Sequence, residues 1–291
     1  MAPTILPTNH VVDVGGTSVF YRQAGDSTRP TLLLLHGFPS SSHMFDALIP
    51  RLSEHFHLVA PDLPGFGLTR TPEGFSHTFA ALAEVMGGFV EAIGLERFAL
   101  YVFDYGAPVG LRLALAKPER VAALISQNGN AYEEGLSEGW NPIRAYWRDR
   151  SPENREALRT LLQPDSVRSQ YEDGADAAKV MPHGWLLDAA LLSRPGQADI
   201  QLDLFGDYGA NVALYPDFQR FLRERRVPVL AAWGRNDPFF LPAGAEAFRR
   251  DVPDAEVRFY DTGHFALETH AAEIADAIVE VILPRLAAAP R

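Results

Sequence analysis

The chain has 291 residues, of which 47% are hydrophobic and 22% are charged, and this composition is typical of a soluble globular protein with a sizeable core. A formal net charge of −11 argues against nucleic acid and anionic membrane surfaces as partners, because both would repel the protein. The chain contains no cysteine, which excludes disulfides, thiolate catalysis and cysteine-ligated metals. Its first residues lack a basic and then apolar targeting segment, so we expect a cytoplasmic protein.

Two antiparallel strands are predicted at the start of the chain. Residues 10–24 alternate apolar and polar side chains around Gly15 and Gly16, which suit the positive backbone angles of a tight hairpin turn. Four short apolar runs follow, at 31–36, 57–62, 98–104 and 121–128. Continuous apolar runs of this length are typical of parallel strands that are buried on both faces of a sheet.

Helical periodicity separates these runs, at about 42–54, 78–93 and 107–117. Because strand and helix alternate, the sequence predicts an α/β fold with a mostly parallel, doubly wound sheet. The alternation resumes late in the chain with strands at 227–234 and 256–261 and with helices near 243–251 and 270–286.

The segment between the two alternating parts has a different character. Residues 129–215 are rich in Trp, Tyr, Arg, Pro and Gly and contain helical stretches but no clear strand run. We therefore predict a core in two parts, 1–128 and 216–291, with an inserted helical cap at 129–215.

Polar residues mark the carboxyl ends of the predicted strands, where ligands bind in open parallel sheets. They are His36, Asp62, Asp104, Asn128, Asp237 and His264. Of these, His36 and Asp62 are interpreted as residues that shape loops.

Asp104 occupies a junction that is typical of a nucleophile elbow. Gly106 and Ala107 follow it and let a helix pack tightly on the strand, while Pro108 fits the first helical turn without losing a hydrogen bond. Asp104 alone could equally be a helix N-cap. The order Asp104, Asp237, His264 is that of nucleophile, acid and histidine, and it favours the catalytic interpretation.

These residues, with "HGFP" after the first buried strand and "DLPGFG" after the next, make the chain resemble the aspartate-nucleophile branch of the α/β-hydrolases, which includes epoxide hydrolases and haloalkane dehalogenases. The resemblance implies that Asp104 is the nucleophile, His264 the base and Asp237 its orienting acid. It also implies that the backbone N–H groups of Phe38 and Tyr105 form an oxyanion hole, and that the bond before Pro39 is cis. No cofactor is expected, and no histidine pair has metal-ligand spacing.

The leaving group decides between the two activities. An epoxide releases an alkoxide, which must be protonated, and the resembling epoxide hydrolases supply two cap tyrosines for this purpose. "DYGAN" matches their segment in which Tyr precedes Asn by three places, so Tyr208 is the first predicted donor. Tyr146 is the second, with Tyr132 as a competitor.

The halide pattern matches less well. Dehalogenases usually have Trp after the nucleophile, and many have Asn in the "HGxP" loop, whereas Tyr105 and Phe38 stand here. Fluoroacetate dehalogenases have Arg one and four places after the nucleophile, where this chain has Tyr105 and Pro108. The chain also departs from the epoxide-hydrolase pattern. Many epoxide hydrolases have Trp directly after the nucleophile and Gly two places before it, where Tyr105 and Val102 stand here.

The sequence thus predicts a hydrolase that opens epoxides to diols through an ester on Asp104. A haloalkane or haloacid dehalogenase with the same nucleophile is the first alternative, and a non-catalytic small-molecule binder of the same fold is the second. The predicted partner is a small apolar organic substrate, with monomer and homodimer both left open. Its predicted contacts are Phe38, Tyr105, Trp147 and Tyr132.

Overall fold

A computed structural model describes residues 6–288, so the outer ends of the two predicted core segments lie outside the described residues. Eight strands form one sheet in the order β1-β2-β4-β3-β5-β6-β7-β8. The strands are β1 Thr8–Val14, β2 Thr17–Ala24, β3 Thr31–Leu35, β4 His57–Pro61, β5 Phe98–Phe103, β6 Val121–Gln127, β7 Val229–Gly234 and β8 Glu256–Tyr260. β2 pairs antiparallel with β1 and with β4, and all other neighbours are parallel. The predicted α/β fold is confirmed.

Thirteen α-helices lie within residues 6–288, along with short 3-10 turns. They are α1 Ile49–Leu52, α2 Phe79–Ala92, α3 Gly106–Ala116, α4 Asn141–Arg148, α5 Pro152–Ala157, α6 Pro164–Glu172, α7 Pro182–Leu192, α8 Gln197–Asp207, α9 Gly209–Ala213, α10 Tyr215–Arg225, α11 Pro242–Asp251, α12 Leu267–Val281 and α13 Leu283–Ala288. Within this part of the chain, no helix has both the length and the apolar character that a membrane span requires.

The central strands are buried on both faces, as their continuous apolar runs predict. In β5, Leu100 and Val102 pack in the core on one face of the sheet, whereas Tyr101 and Phe103 pack in the core on the other. Helices must therefore cover both faces of the sheet.

Two predicted helices are interrupted by proline. The predicted helix at 42–54 is a 3-10 turn at Ser42–Phe45 followed by the short α1, because Pro50 has no N–H to continue a helix from the preceding turn. The predicted last helix is divided into α12 and α13 just before Pro284, for the same reason.

Between β6 and β7 the chain forms helices α4 to α10 and no named strand. The predicted cap boundary at 215 falls on the first residue of α10. The neighbouring positions of β3, β5, β6 and β7 in the sheet bring the carboxyl ends of these strands together beneath this helical segment. The polar strand-end residues are thus gathered at one edge.

Candidate active site

Asp104 stands at a strained turn between β5 and α3. Its φ is +45°, a left-handed conformation that costs free energy in a residue other than glycine and that is concentrated at functional sites. The turn is tight: a Cβ on Gly106 would lie 2.2 Å from the Leu35 carbonyl oxygen. The small residue therefore lets the helix start directly behind Asp104, which is the geometry of an elbow.

Two backbone N–H groups contact the Asp104 carboxylate. The Phe38 N–H donates to Oδ1 at 2.7 Å, and the Tyr105 N–H also donates to this carboxylate. The bond between Phe38 and Pro39 is cis, as the resemblance implied. His36 fixes the same loop, because its Nε2 accepts a hydrogen bond from the Leu63 N–H at 2.9 Å. Two backbone donors are therefore preorganised at the Asp104 carboxylate.

The loop that carries Phe38, residues 36–39 (here the oxyanion loop), approaches Asp104 so closely that only glycine fits at position 37. A Cβ there would lie 2.4 Å from Asp104 Oδ1 and 2.5 Å from the Tyr105 backbone nitrogen. Gly37→Ala should therefore push the Phe38 N–H out of place and lower kcat/KM about 100-fold, the usual cost of a displacement near 1 Å in a reacting site. Steady-state kinetics on the folded variant measures this.

The matched control for Gly37→Ala is Gly87→Ala in α2. A Cβ at Gly87 would meet only the Leu113 side chain, at an ordinary 3.7 Å, and alanine suits a helix better than glycine does. Activity should be unchanged in this control. A Gly37→Ala variant with activity within about threefold of the wild type would contradict the close approach of the loop.

His264 faces Asp104 with its Nε2 nitrogen. Its Nδ1 lies 2.7 Å from Asp237 Oδ2, and its Nε2 lies 3.9 Å from Asp104 Oδ2, a separation too long for a hydrogen bond. The contact with Asp237 favours the tautomer with the proton on Nδ1, so Nε2 is left as an acceptor. The three side chains are buried together, with exposures of 5% for Asp104, 3% for Asp237 and 1% for His264.

Asp237 is held in place by hydrogen-bond donors. The backbone N–H groups of Phe239 and Phe240 donate to its Oδ1 at 2.7 and 3.1 Å, and the Asn128 amide donates to its Oδ2 at 2.7 Å. Asn128 lies at the end of β6 with a φ of +47°. Its position at a strand end singled it out in the sequence. That it supports Asp237 could not be predicted, because this depends on β6 and β7 being neighbours in the sheet.

The environment shifts the pKa of both reacting groups. Burial raises the pKa of Asp104 to about 6, although His264 and the two N–H groups act in the opposite direction. Burial alone would lower the pKa of His264, but the Asp237 carboxylate overcomes this and raises it above its usual value. Asp104 is thus ionised above about pH 6, as a nucleophile must be.

An apolar cavity lies over Asp104 and His264. The other lining residues are Phe38, Tyr105, Trp140, Ile143, Leu161, Gln170, Phe205, Phe239 and Phe240. The sequence singled out Phe38 and Tyr105 among these. The remaining seven were not predicted. Five of them lie in the cap and reach the cavity only through the packing of its helices and turns, and Phe239 and Phe240 lie in the loop after β7, which carries no periodic pattern.

Tyr208 lies beside the cavity wall and not on it. Its ring packs on Trp140 and Tyr105, with centroids 4.4 and 5.7 Å apart. Within residues 6–288, the hydroxyl groups of Tyr208 and Tyr105 are both buried without a hydrogen-bond partner. Burial raises the pKa of both phenols well above the usual value, so they stay protonated.

The structure does not bring the other predicted cap residues to the cavity. The Tyr146 hydroxyl accepts a hydrogen bond from Arg155 at 3.3 Å, and Tyr132 donates to Asp251 at 2.8 Å. The Trp147 indole N–H donates to the carbonyl of Phe205 at 2.8 Å, and its ring stacks on Tyr208. None of the three lines the cavity, because each side chain is turned to a partner elsewhere.

The chain belongs to the α/β-hydrolase fold family, whose profile matches residues 30–271. A Saccharomyces cerevisiae protein named as an uncharacterized hydrolase, YNR064C, is 50% identical over 283 residues, which cover 95% of this chain and 98% of the relative. Haloalkane dehalogenase 2 of Mycobacterium bovis is 27% identical over 264 residues, or 88% of each chain.

Solved structures share the fold. A loop variant of haloalkane dehalogenase DbeA from Bradyrhizobium elkanii has a TM-score of 0.79 at 22% identity, covering 97% of this chain and 98% of that one. The epoxide hydrolase CorEH has a TM-score of 0.77 at 20% identity, covering 96% and 99%. At these identities the likeness concerns the fold and not the reaction.

Proposed function

We propose that the protein hydrolyses epoxides to diols through a covalent ester on Asp104. The observation that carries the proposal is the placement of one strained, buried carboxylate between the Phe38 N–H on Oδ1 and the His264–Asp237 pair on the side of Oδ2. A carboxylate needs no base to attack a saturated carbon. The donors and the histidine are needed for the step that follows.

The reaction runs in two steps. Asp104 Oδ2 attacks an epoxide carbon, the C–O bond of the ring breaks, and the alkoxide takes a proton from a phenol, which leaves an alkyl ester. His264 Nε2 then removes a proton from water, and the hydroxide attacks the ester carbonyl while the Phe38 and Tyr105 N–H groups hold the oxyanion. The acyl–oxygen bond breaks, the departing alkoxide takes the proton from His264, and the proton left on the Asp104 carboxyl group returns to the phenolate. The diol leaves with an oxygen that belonged to Asp104.

The free donors near Asp104 favour an epoxide over a halide. Among residues 6–288 the Tyr105 hydroxyl has no hydrogen-bond partner, and the Tyr208 hydroxyl approaches that of Tyr215. A phenol can give a proton to an alkoxide. By contrast, the indole N–H groups of Trp140 and Trp147 already donate to backbone carbonyls. We therefore assign the donor role to Tyr105, which lines the cavity and replaces the predicted Tyr146, together with Tyr208, whose ring packs on Tyr105 beside the cavity wall.

Halide removal by the same nucleophile is the second candidate function. The 27% identity with haloalkane dehalogenase 2 over most of both chains supports it. The haloacid form is disfavoured, because no Lys or Arg lines the described cavity to pair with a carboxylate. The aromatic and aliphatic walls fit a small, apolar, uncharged substrate.

A side-by-side turnover assay tests the proposed function. Aryl and alkyl epoxides are compared with bromo- and chloroalkanes, with diol formation and halide release as the two readouts. We expect diol without halide. Halide release alone would favour dehalogenation, and no turnover of either class would favour the non-catalytic binder.

Tyr208→Phe should slow epoxide opening at least about tenfold, because an alkoxide leaving group depends on proton donation, and it should hardly affect any halide release. The matched control is Tyr260→Phe, which removes another buried and unpartnered hydroxyl away from the cavity. Rapid-mixing measurements of ester formation give the rate of epoxide opening. Equal losses in the two variants would refute the assigned donor.

Ester formation should fall as the pH drops through about 6, the pKa to which burial raises Asp104, because only the ionised carboxylate attacks. Ester breakdown should also fall on the acid side, since His264 must be neutral to accept a proton and its pKa is raised. Single-turnover rates from about pH 5 to about pH 9 separate the pH dependence of ester formation from that of ester breakdown. A rate of ester formation that rises with acidity, after subtraction of the uncatalysed reaction, would contradict this assignment.

A further inference from the structure

Gln170 is a polar residue of the cavity wall that the two-step reaction does not use. It lies on α6 and lines the same cavity as Asp104 and His264. Its side chain is only 7% exposed. Within residues 6–288, the hydrogen bonds of the structure include none to its amide, whereas the Trp140 indole in the same wall donates to the Phe239 carbonyl at 3.1 Å.

Neither atom of this amide is among the fully enclosed polar atoms that lack a partner, so the amide faces the space of the cavity. Leaving such an amide without a hydrogen bond once water is displaced is costly. Leucine or methionine would fill the same space without that cost. Two other cap residues of the cavity wall, Ile143 and Leu161, are indeed apolar. Among the cap residues of the described cavity wall, the Gln170 amide is therefore the group that a purely hydrocarbon substrate would leave without a hydrogen bond.

The backbone that carries Gln170 is firmly anchored. The next residue, Tyr171, donates its hydroxyl to Asp188 Oδ2 on α7 at 2.5 Å, and its ring stacks on Phe265 with centroids 3.8 Å apart. Asp188 Oδ1 in turn lies 2.6 Å from His43 Nε2, and His43 belongs to the turn that follows the oxyanion loop. An anchored backbone limits the positions that the amide can take, so less entropy is lost when it binds a substrate.

We propose that Gln170 determines specificity by binding an uncharged, hydrogen-bonding substituent of the substrate, such as a hydroxyl or a carbonyl group. The substrate class is then an otherwise apolar epoxide that carries one such group apart from the oxirane ring. This inference rests on the proposed function. A charged substituent does not fit, because neither Lys nor Arg lines the described cavity and a buried charge requires a partner.

The test compares 1,2-epoxyalkanes that end in a hydroxyl with those that end in a methyl, at several matched chain lengths. A hydroxyl both donates and accepts, so it suits either atom of the amide. In Gln170→Leu and Gln170→Met, the hydroxyl-to-methyl ratio of kcat/KM should fall about tenfold from the wild-type value at the best chain length, because polar recognition is lost while the cavity stays filled.

The control variant is Gln163→Leu, which makes the same exchange at an exposed residue of the cap outside the cavity. It should keep the wild-type ratio. A ratio in both Gln170 variants that stays within about twofold of the wild type at every chain length would overturn the role of Gln170.

A binding measurement separates this inference from the proposed function. Calorimetry of 1,2-alkanediols with and without a terminal hydroxyl needs no turnover. If no epoxide is hydrolysed, the proposed function fails, yet Gln170→Leu should still reduce the preference for the terminal hydroxyl about fivefold or more. An unchanged preference in binding would overturn the role of Gln170 whatever the reaction is.

Discussion

Asp104→Asn should lower kcat at least about 10⁴-fold, because a neutral amide oxygen is a poor nucleophile and no other carboxylate lines the described cavity. The amide has nearly the same shape, and its oxygen can still accept the hydrogen bond from the Phe38 N–H. The loss would therefore report chemistry and not folding. Diol formation at saturating epoxide is the measurement.

The matched control for this change is Asp251→Asn. Asp251 is also a buried carboxylate, with 5% exposure. It lies on α11, outside the described cavity lining, and binds Tyr132 and Arg223. Its variant should retain the wild-type kcat once folded. An Asp104→Asn protein that keeps more than about 1% of the wild-type kcat would show that another group attacks the substrate.

His264→Gln should stop the reaction after its first step. Asp104 would still attack, because this step needs no base, but water would no longer be activated. We expect turnover to fall about 10³-fold and one equivalent of alkyl ester to accumulate on the protein. Intact-protein mass after addition of epoxide, followed by peptide mapping to the segment around Asp104, measures the adduct.

The control for the histidine variant is His183→Gln, which changes an exposed histidine of the cap. It should turn over normally and carry no lasting adduct. A His264→Gln protein that loses activity and remains unmodified would instead indicate that His264 is needed for the first step.

The framework of the site was readable from the sequence because it depends on local patterns. Strands buried on both faces leave continuous apolar runs, and the residue types at their carboxyl ends mark one edge of the sheet. The elbow at Asp104 also has a local signature, since Gly106 must be small where a Cβ would meet the Leu35 carbonyl. The three triad residues could be predicted together because each follows a strand that ends at this edge.

The cap was less readable because its side chains are oriented by packing between helices. Tyr146 has the right residue type, but α4 directs its hydroxyl to Arg155. Gln170 gave no signal, since a polar residue in an amphipathic helix is usually solvated. Only the anchoring of α6 on the core through Tyr171 and Phe265 places its amide in the cavity.

The fate of oxygen in a single turnover tests the covalent mechanism most directly. Enzyme in excess over epoxide is mixed in water enriched in ¹⁸O, and the diol and the peptide that contains Asp104 are analysed by mass spectrometry. The proposed mechanism predicts an unlabelled diol and one ¹⁸O in the Asp104 carboxylate, because water attacks the ester carbonyl and the diol leaves with an Asp104 oxygen. A first-turnover diol that carries the label, with Asp104 unlabelled, would contradict the mechanism and indicate direct attack of water on the epoxide.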